Sequence, residues 1–104
     1  MNKNYKISII TVTKNSENFL EECILSLDKQ SYRNYEHIII DGGSSDNTVN
    51  IIKKYKDKIS YWVSEKDEGL YDAMNKGIKK CSGDIIGILN SDDVYYPNAL
   101  KIVN

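Results

Sequence analysis

The chain has 104 residues, 40% hydrophobic and 28% charged, with 14 Lys and Arg against 15 Asp and Glu. That length fits one small domain with a real hydrophobic core, and the balanced charge excludes a strongly basic nucleic-acid binder. No apolar run approaches the ~20 residues that cross a bilayer, and the opening MNKNYKISII has no cleavage-site pattern of a secretory leader, so the expected compartment is the cytoplasm.

In chain order, YKISIITVTKN is rich in β-branched residues and predicts a buried strand over residues 6–13. Ser16 is the expected N-cap of a first helix, with Glu17 where the helix dipole favours an acid. Phe19, Leu20, Cys23, Ile24 and Leu27 then form one apolar stripe at helical spacing. YEHIIID is the second strand, ending at Asp41, and GGSSDNT leads into a helix over residues 48–56 with Val49, Ile52 and Tyr55 inward. ISYWVSE is a third strand and KDEG a turn. LYDAMNKGIKK is a third helix with Leu70, Met74, Ile78 and Cys81 on one side. Gly77 inside it costs about 1 kcal/mol relative to Ala, which marks a place that needs the missing side chain. Gly83 is the expected helix stop, DIIGILN the fourth strand, and Pro97 the first turn of a final helix. Cys23 and Cys81 fall on apolar sides of helices and read as reduced core thiols rather than a disulfide or metal pair.

Strands alternating with helices over short connections mean a parallel sheet covered by helices, a three-layer α/β fold over residues 1–104. The strands are near-continuous apolar runs, as strands buried on both faces should be. Ligands in such sheets gather outside the carboxyl ends of the strands. There the sequence places Thr11, Thr13, Lys14 and Asn15 after the first strand and DGGSSD after the second. Glu65 to Gly69 follow the third, with Tyr71, Asp72 and Asn75 just inside the helix, and Asn90, Ser91, Asp92 and Asp93 follow the fourth.

Each residue also has a plainer reading. DGGSSD can be an Asx turn before a helix cap, and its two glycines lack the rest of a phosphate-binding fingerprint. His37, inside a strand, reads as a hydrogen-bonded structural histidine, and Tyr61 and Trp62 as packing residues. Tyr95 and Tyr96 read as cover for the last helix. Asp92 and Asp93 are harder to explain that way, because adjacent carboxylates repel unless water or a cation offsets them. Hard cations prefer carboxylate oxygens, and Mg²⁺ sites often combine one or two carboxylates with substrate phosphates.

ISIITVTKN, IIIDGGSSDNT, DEGLYDAMNKGI and GILNSDDVYYP, four blocks in order, resemble the nucleotide-binding portion of glycosyltransferase family 2, whose fold is the Rossmann-like GT-A fold. The resemblance implies that Thr11 to Asn15, Thr13 included, line a base and ribose pocket, and that Asp41 hydrogen-bonds the nucleobase. It implies Asp67 and Asn75 close to the nucleotide, Asp92 at the ribose or metal, and Asp92 with Asp93 on a Mn²⁺ or Mg²⁺ ion bridging the diphosphate. Asn90 stands where the family's DxD spelling begins, and Met74 where many members have an arginine, for which Lys76 is a candidate substitute. The implied activity is metal-dependent, inverting transfer of a sugar from a nucleotide-diphosphate donor, expected to be a UDP-sugar, to an acceptor hydroxyl on a glycan or lipid-linked acceptor. Polysaccharide or glycan synthesis at the inner face of a membrane is the setting the resemblance suggests, with peripheral attachment to that membrane and no nucleic-acid partner. The general base normally lies beyond the DxD region, so the chain is expected to be the N-terminal part of a longer enzyme. A nucleotide-binding module without chemistry is the alternative. A phosphoacceptor domain would want acids after the first strand, and a nucleotidyltransferase a Gly- and Arg-rich loop there; Thr13-Lys14-Asn15 supplies neither.

Overall fold

The computed structural model describes residues 5–30, 32–66 and 68–89. Within them the order is β1 (Ile7–Thr13), α1 (Leu20–Asp28), β2 (Tyr35–Asp41), α2 (Thr48–Lys54), a 3-10 turn (Lys56–Lys58), β3 (Tyr61–Ser64), α3 (Leu70–Lys79) and β4 (Ile85–Ile88). The final helix expected from Pro97 and the tyrosines before it lie outside the described residues. No described helix is long and apolar enough to cross a membrane.

The strands form one sheet in the order β3-β2-β1-β4, and every pairing is parallel. In register, Ile7 faces Tyr35 and Ile85, and Ile10 faces Ile38 and Ile88. Because side chains alternate across a strand, Ile7, Ile9 and Ile39 point to one face and Ile10, Ile38 and Ile40 to the other. The first face is closed by α1 and α2, through Leu20, Cys23, Ile24, Leu27 and Ile52. The second is closed by α3, where Ala73 packs with Ile38 and Ile40. This is the three-layer α/β architecture expected from the alternating pattern. Cys23 and Cys81 pack against clusters on opposite faces, in keeping with two separate core thiols.

Several local expectations are corrected. The spacing puts Phe19 on the buried stripe of α1; it is exposed, because the helix begins only at Leu20 and Phe19 belongs to the turn before it. Ser16 enters that turn through its carbonyl oxygen, which accepts from the N–H groups of Phe19 and Leu20 at 3.0 and 2.9 Å. On α2, Thr48 and Ile52 are buried and Val49 only half so. On α3, among the described side chains, Ala73 and Gly77 are buried toward the sheet, whereas Ile78 is exposed. Gly77 explains the rotation: a Cβ there would lie 2.7 Å from Ile10 Cγ2, so the helix touches β1 backbone-first. Gly83 does not end α3. It passes against β1, where a Cβ would meet Lys6 O at 2.7 Å, and donates its N–H to Ser8 Oγ at 2.8 Å.

Candidate functional site

The chain steps from β1 to β2 to β3 in one direction, and α3 then carries it back to β4 on the far side of β1. Such a reversal opens a crevice at the carboxyl ends of the two strands that flank it, the usual ligand position in open α/β sheets. Three described loops meet at this edge.

Asp41, the last residue of β2, is fully buried. Its Oδ2 accepts from the N–H groups of Gly43 (3.1 Å) and Ser44 (2.8 Å) and from the Ser64 hydroxyl (2.7 Å), and its Oδ1 from the Ser44 hydroxyl (2.5 Å). A buried carboxylate is tolerable only when hydrogen-bonded in this way. The Asx turn anticipated for DGGSSD is therefore present, with Gly43 at φ 85° completing it. Each carboxylate oxygen has two lone pairs, so Oδ1, with one bond from the described residues, keeps acceptor capacity for a ligand.

The loop after β1 is stitched to the loop after β2. Asn15 N–H donates to Ser44 Oγ (2.7 Å), and Asn15 Oδ1 accepts from Ser45 N–H (2.8 Å). Ser16 N–H donates to Thr48 Oγ1 (2.8 Å), Glu17 N–H to Asp46 Oδ2 (3.2 Å), and Asn47 N–H to Glu17 Oε1 (3.2 Å). Asn15 holds φ 51°, a left-handed conformation in which asparagine is enriched among non-glycine residues. Asp46 also accepts from both the N–H and the hydroxyl of Thr48. Burial alone would raise its carboxyl pKa, but these bonds from Thr48 and Glu17 outweigh it and hold the group below the usual carboxylate range.

The remaining site residues fall into three groups. Thr13 ends β1 at 2% exposure, and its hydroxyl is the buried side-chain polar atom without a partner among the described residues. The N–H of Gly42 donates to its carbonyl at 2.9 Å, so Thr13, Asn15 and Asp41 share one edge. Thr11 is not at that edge: it lies two residues inside the strand, fully buried, 2.7 Å from His37 Nε2. Burial pulls the His37 pKa down to about 4, so the ring is a neutral structural partner. Asn75 is exposed on α3. Asp67, Asp92 and Asp93 lie outside the described residues.

Lys76, the candidate cation, contacts Glu65 Oε1 at 3.1 Å and Asp72 Oδ2 at 3.5 Å. Burial pulls its pKa down, but the Glu65 hydrogen bond and the two carboxylate charges win and the net shift is upward. The contributions of Ser44, Asp46, Thr48 and Ser64 were not visible from spacing, since they pair loops 23–32 residues apart; only the capping character of DGGSSDNT hinted at them. Among the described residues no group of three His, Cys, Asp or Glu side chains converges as a metal site. Asp92 and Asp93, the pair expected from the sequence to hold a divalent ion, carry oxygen donors of the kind that suit Mg²⁺ or Mn²⁺.

Residues 8–103 match the family described as Glycosyl transferase family 2. An uncharacterised glycosyltransferase of Mycobacterium tuberculosis is 43% identical over 88 residues, 84% of this chain and 34% of that protein. One of Rickettsia typhi is 40% identical over 95 residues, 91% of this chain and 30% of that protein. The chain thus spans about a third of the length of these relatives. Among solved structures, S. aureus TarS 1-349 in complex with UDP-GlcNAc superposes with a TM-score of 0.84 at 29% identity, covering 93% of this chain and 29% of that one. A Pyrobaculum calidifontis mannosyltransferase, in complex with GDP-Man and Mn²⁺, shares the fold with a TM-score of 0.88 at 19% identity, covering 98% of this chain and 32% of that one.

Proposed function

The chain belongs to glycosyltransferase family 2, and on that footing we propose that it forms the donor-binding part of an enzyme moving a sugar from a nucleotide diphosphate to an acceptor hydroxyl. The observation that carries this reading is the convergence of Thr13, Asn15 and Asp41 at one carboxyl edge, with a buried Thr13 hydroxyl left for a ligand. TarS, similar over 93% of this chain, is solved with UDP-GlcNAc and with UDP, which supports a uridine diphosphate donor.

The roles follow from the chemistry of the side chains. Asp41 presents its remaining Oδ1 capacity to an N–H of the base, and Thr13 its hydroxyl to a polar atom of the nucleoside. Asn75 lines the nucleotide from α3 and Asp67 from the loop before it, while Thr11 supports the pocket from within the sheet. Asp92 and Asp93 hold a divalent ion, which when bound supplies Lewis-acid neutralisation of the charge growing on the leaving diphosphate. The displacement is inverting, with a carboxylate taking the acceptor proton. Glycan or polysaccharide synthesis, with a glycan or lipid-linked acceptor at the inner membrane face, is the proposed setting.

The test is calorimetry of the 104-residue chain with UDP-GlcNAc, UDP-glucose and GDP-mannose in Mn²⁺, beside a sugar-release assay. Saturable binding of at least one uridine donor is expected. Binding without release would mark the chain as a donor-binding module, and no binding of any of the three would overturn the reading.

A further inference from the structure

At the end of the sheet opposite Asp41, the C-terminus of α1, the start of β2 and the 3-10 turn before β3 enclose a cleft of about 440 Å³. That size lies within the roughly 300–1,000 Å³ usual for small-molecule sites. Tyr35, at the cleft, and Asp41 begin and end β2, which puts the cleft about 20 Å from the carboxyl edge at 3.3 Å per residue.

His37 lines the cleft although it is only 1% exposed. Its Nε2 lies 2.7 Å from Thr11 Oγ1, and no described residue bonds its Nδ1. Thr11 is itself fully buried, and its hydroxyl proton has that ring nitrogen as its one described acceptor. If Nε2 were the donor, the Thr11 proton would be stranded away from water. The Thr11 hydroxyl therefore donates, Nε2 accepts, and the neutral ring carries its proton on Nδ1. Among the described side chains the polar atom both sealed and unbonded is Thr13 Oγ1, so Nδ1 meets open space, which at His37 is the cleft.

The rest of the polar wall balances donors against acceptors. Ser60 Oγ accepts the His37 main-chain N–H at 3.3 Å and keeps a hydroxyl proton that no described group accepts. Lys58 Nζ meets Asp28 Oδ2 at 3.0 Å, and Arg33 Nη2 meets Asp28 Oδ1 at 3.5 Å. Asp57, on the 3-10 turn, is exposed and its carboxylate has no described partner. An anion in the cleft would face Asp28 and Asp57, and a cation would face Lys58 and Arg33. A hydroxyl group both donates and accepts, so a ligand rich in hydroxyls suits every part of the wall.

We propose that this cleft binds a neutral saccharide unit, with His37 Nδ1 and the Ser60 hydroxyl donating to sugar oxygens and Asp28 and Asp57 accepting from sugar hydroxyls. Half-buried Tyr35 adds an aromatic surface for the C–H face of a sugar ring. A glycan held here engages the molecule at the amino ends of β2 and β3, independently of nucleotide binding at the carboxyl edge.

His37 is the single histidine of the chain, so its ring signals in a long-range proton–nitrogen NMR spectrum need no assignment. In the full 104-residue chain at neutral pH, Nδ1 should be the protonated nitrogen. Maltose, cellobiose and N,N′-diacetylchitobiose are then titrated at millimolar concentrations without nucleotide, beside acetate and inorganic phosphate. At least one disaccharide should shift the Nδ1 signal saturably, and neither anion should. Asp57→Ala and, separately, Ser60→Ala should each weaken that binding roughly tenfold. A proton found on Nε2, no saturable shift from any disaccharide, or affinity untouched by both substitutions would overturn the proposal. A shift from acetate or phosphate alone would overturn it too and assign the cleft to an anion. With no nucleotide present, none of these outcomes depends on the donor site.

Discussion

His37 and Asp41 stand four residues apart on β2 and illustrate opposite ways of burying an ionisable group. His37 is buried neutral against Thr11, with its pKa pulled to about 4 by burial. Between its ordinary value of 6.5 and about 4, the unfolded chain binds a proton that the folded chain refuses. Stability therefore rises with pH across that window and falls as pH drops through it, by an amount on the order of 3 kcal/mol. Urea unfolding from pH 7 to pH 4 should show this slope, and His37→Gln should flatten it. The carboxylates held low, Glu36, Asp28 and Asp46, lose their contributions only as pH falls below their ordinary values, so the two effects separate. Asp41 is buried beneath four donors instead. Asp41→Ala strands those donors at about 1–3 kcal/mol for each that water cannot reach. Calorimetry should also show weaker UDP binding in that variant, with its dependence on Mn²⁺ unchanged; an unaltered affinity would remove the base-contacting role. The turn that Asp41 makes was legible in the sequence, because a carboxylate ending an apolar strand before Gly-Gly-Ser suits an Asx turn. Its Ser64 partner was not, since that contact depends on β3 lying beside β2.

At the level of elements, the strands were legible as short apolar runs between turn signals, though the expected burial on both faces holds for β1 and β2 and not for β4, where Ile86 and Ile88 are exposed. Helix faces were less so, and α3 shows why. Hydropathy favours the side of Met74 and Ile78, but among the described side chains the sheet selects Ala73 and Gly77, since only small residues allow the close approach to Ile10. Gly77→Ala tests this directly. Ala is the better helix former by about 1 kcal/mol, yet its Cβ would meet Ile10 Cγ2 at 2.7 Å. Overpacking of that kind costs about 1–3 kcal/mol, so the variant should be less stable in urea despite the helix gain. A more stable variant would mean that α3 sits farther from β1 than described. Ser16 likewise carries a capping residue's identity yet serves through its carbonyl, while the order of the two loops comes from cross-loop bonds that no local pattern displays.

For the whole molecule, the strand order makes the site. Reversal after β3 leaves the exits of β1 and β4 flanking one crevice, and it places Thr13 at its rim with a hydroxyl still to be satisfied. The acid pair follows β4 in sequence by a few residues, outside the described residues, and its place at that crevice is part of the proposal. The most direct measurement is a calorimetric titration of UDP into the wild type and Asp93→Ala, each with Mn²⁺ and with EDTA. Tenfold or weaker binding by Asp93→Ala in Mn²⁺, with the two proteins alike in EDTA, is the predicted result. Equal affinity of the two proteins in Mn²⁺ would contradict a cation bridge between that acid pair and the donor's phosphates.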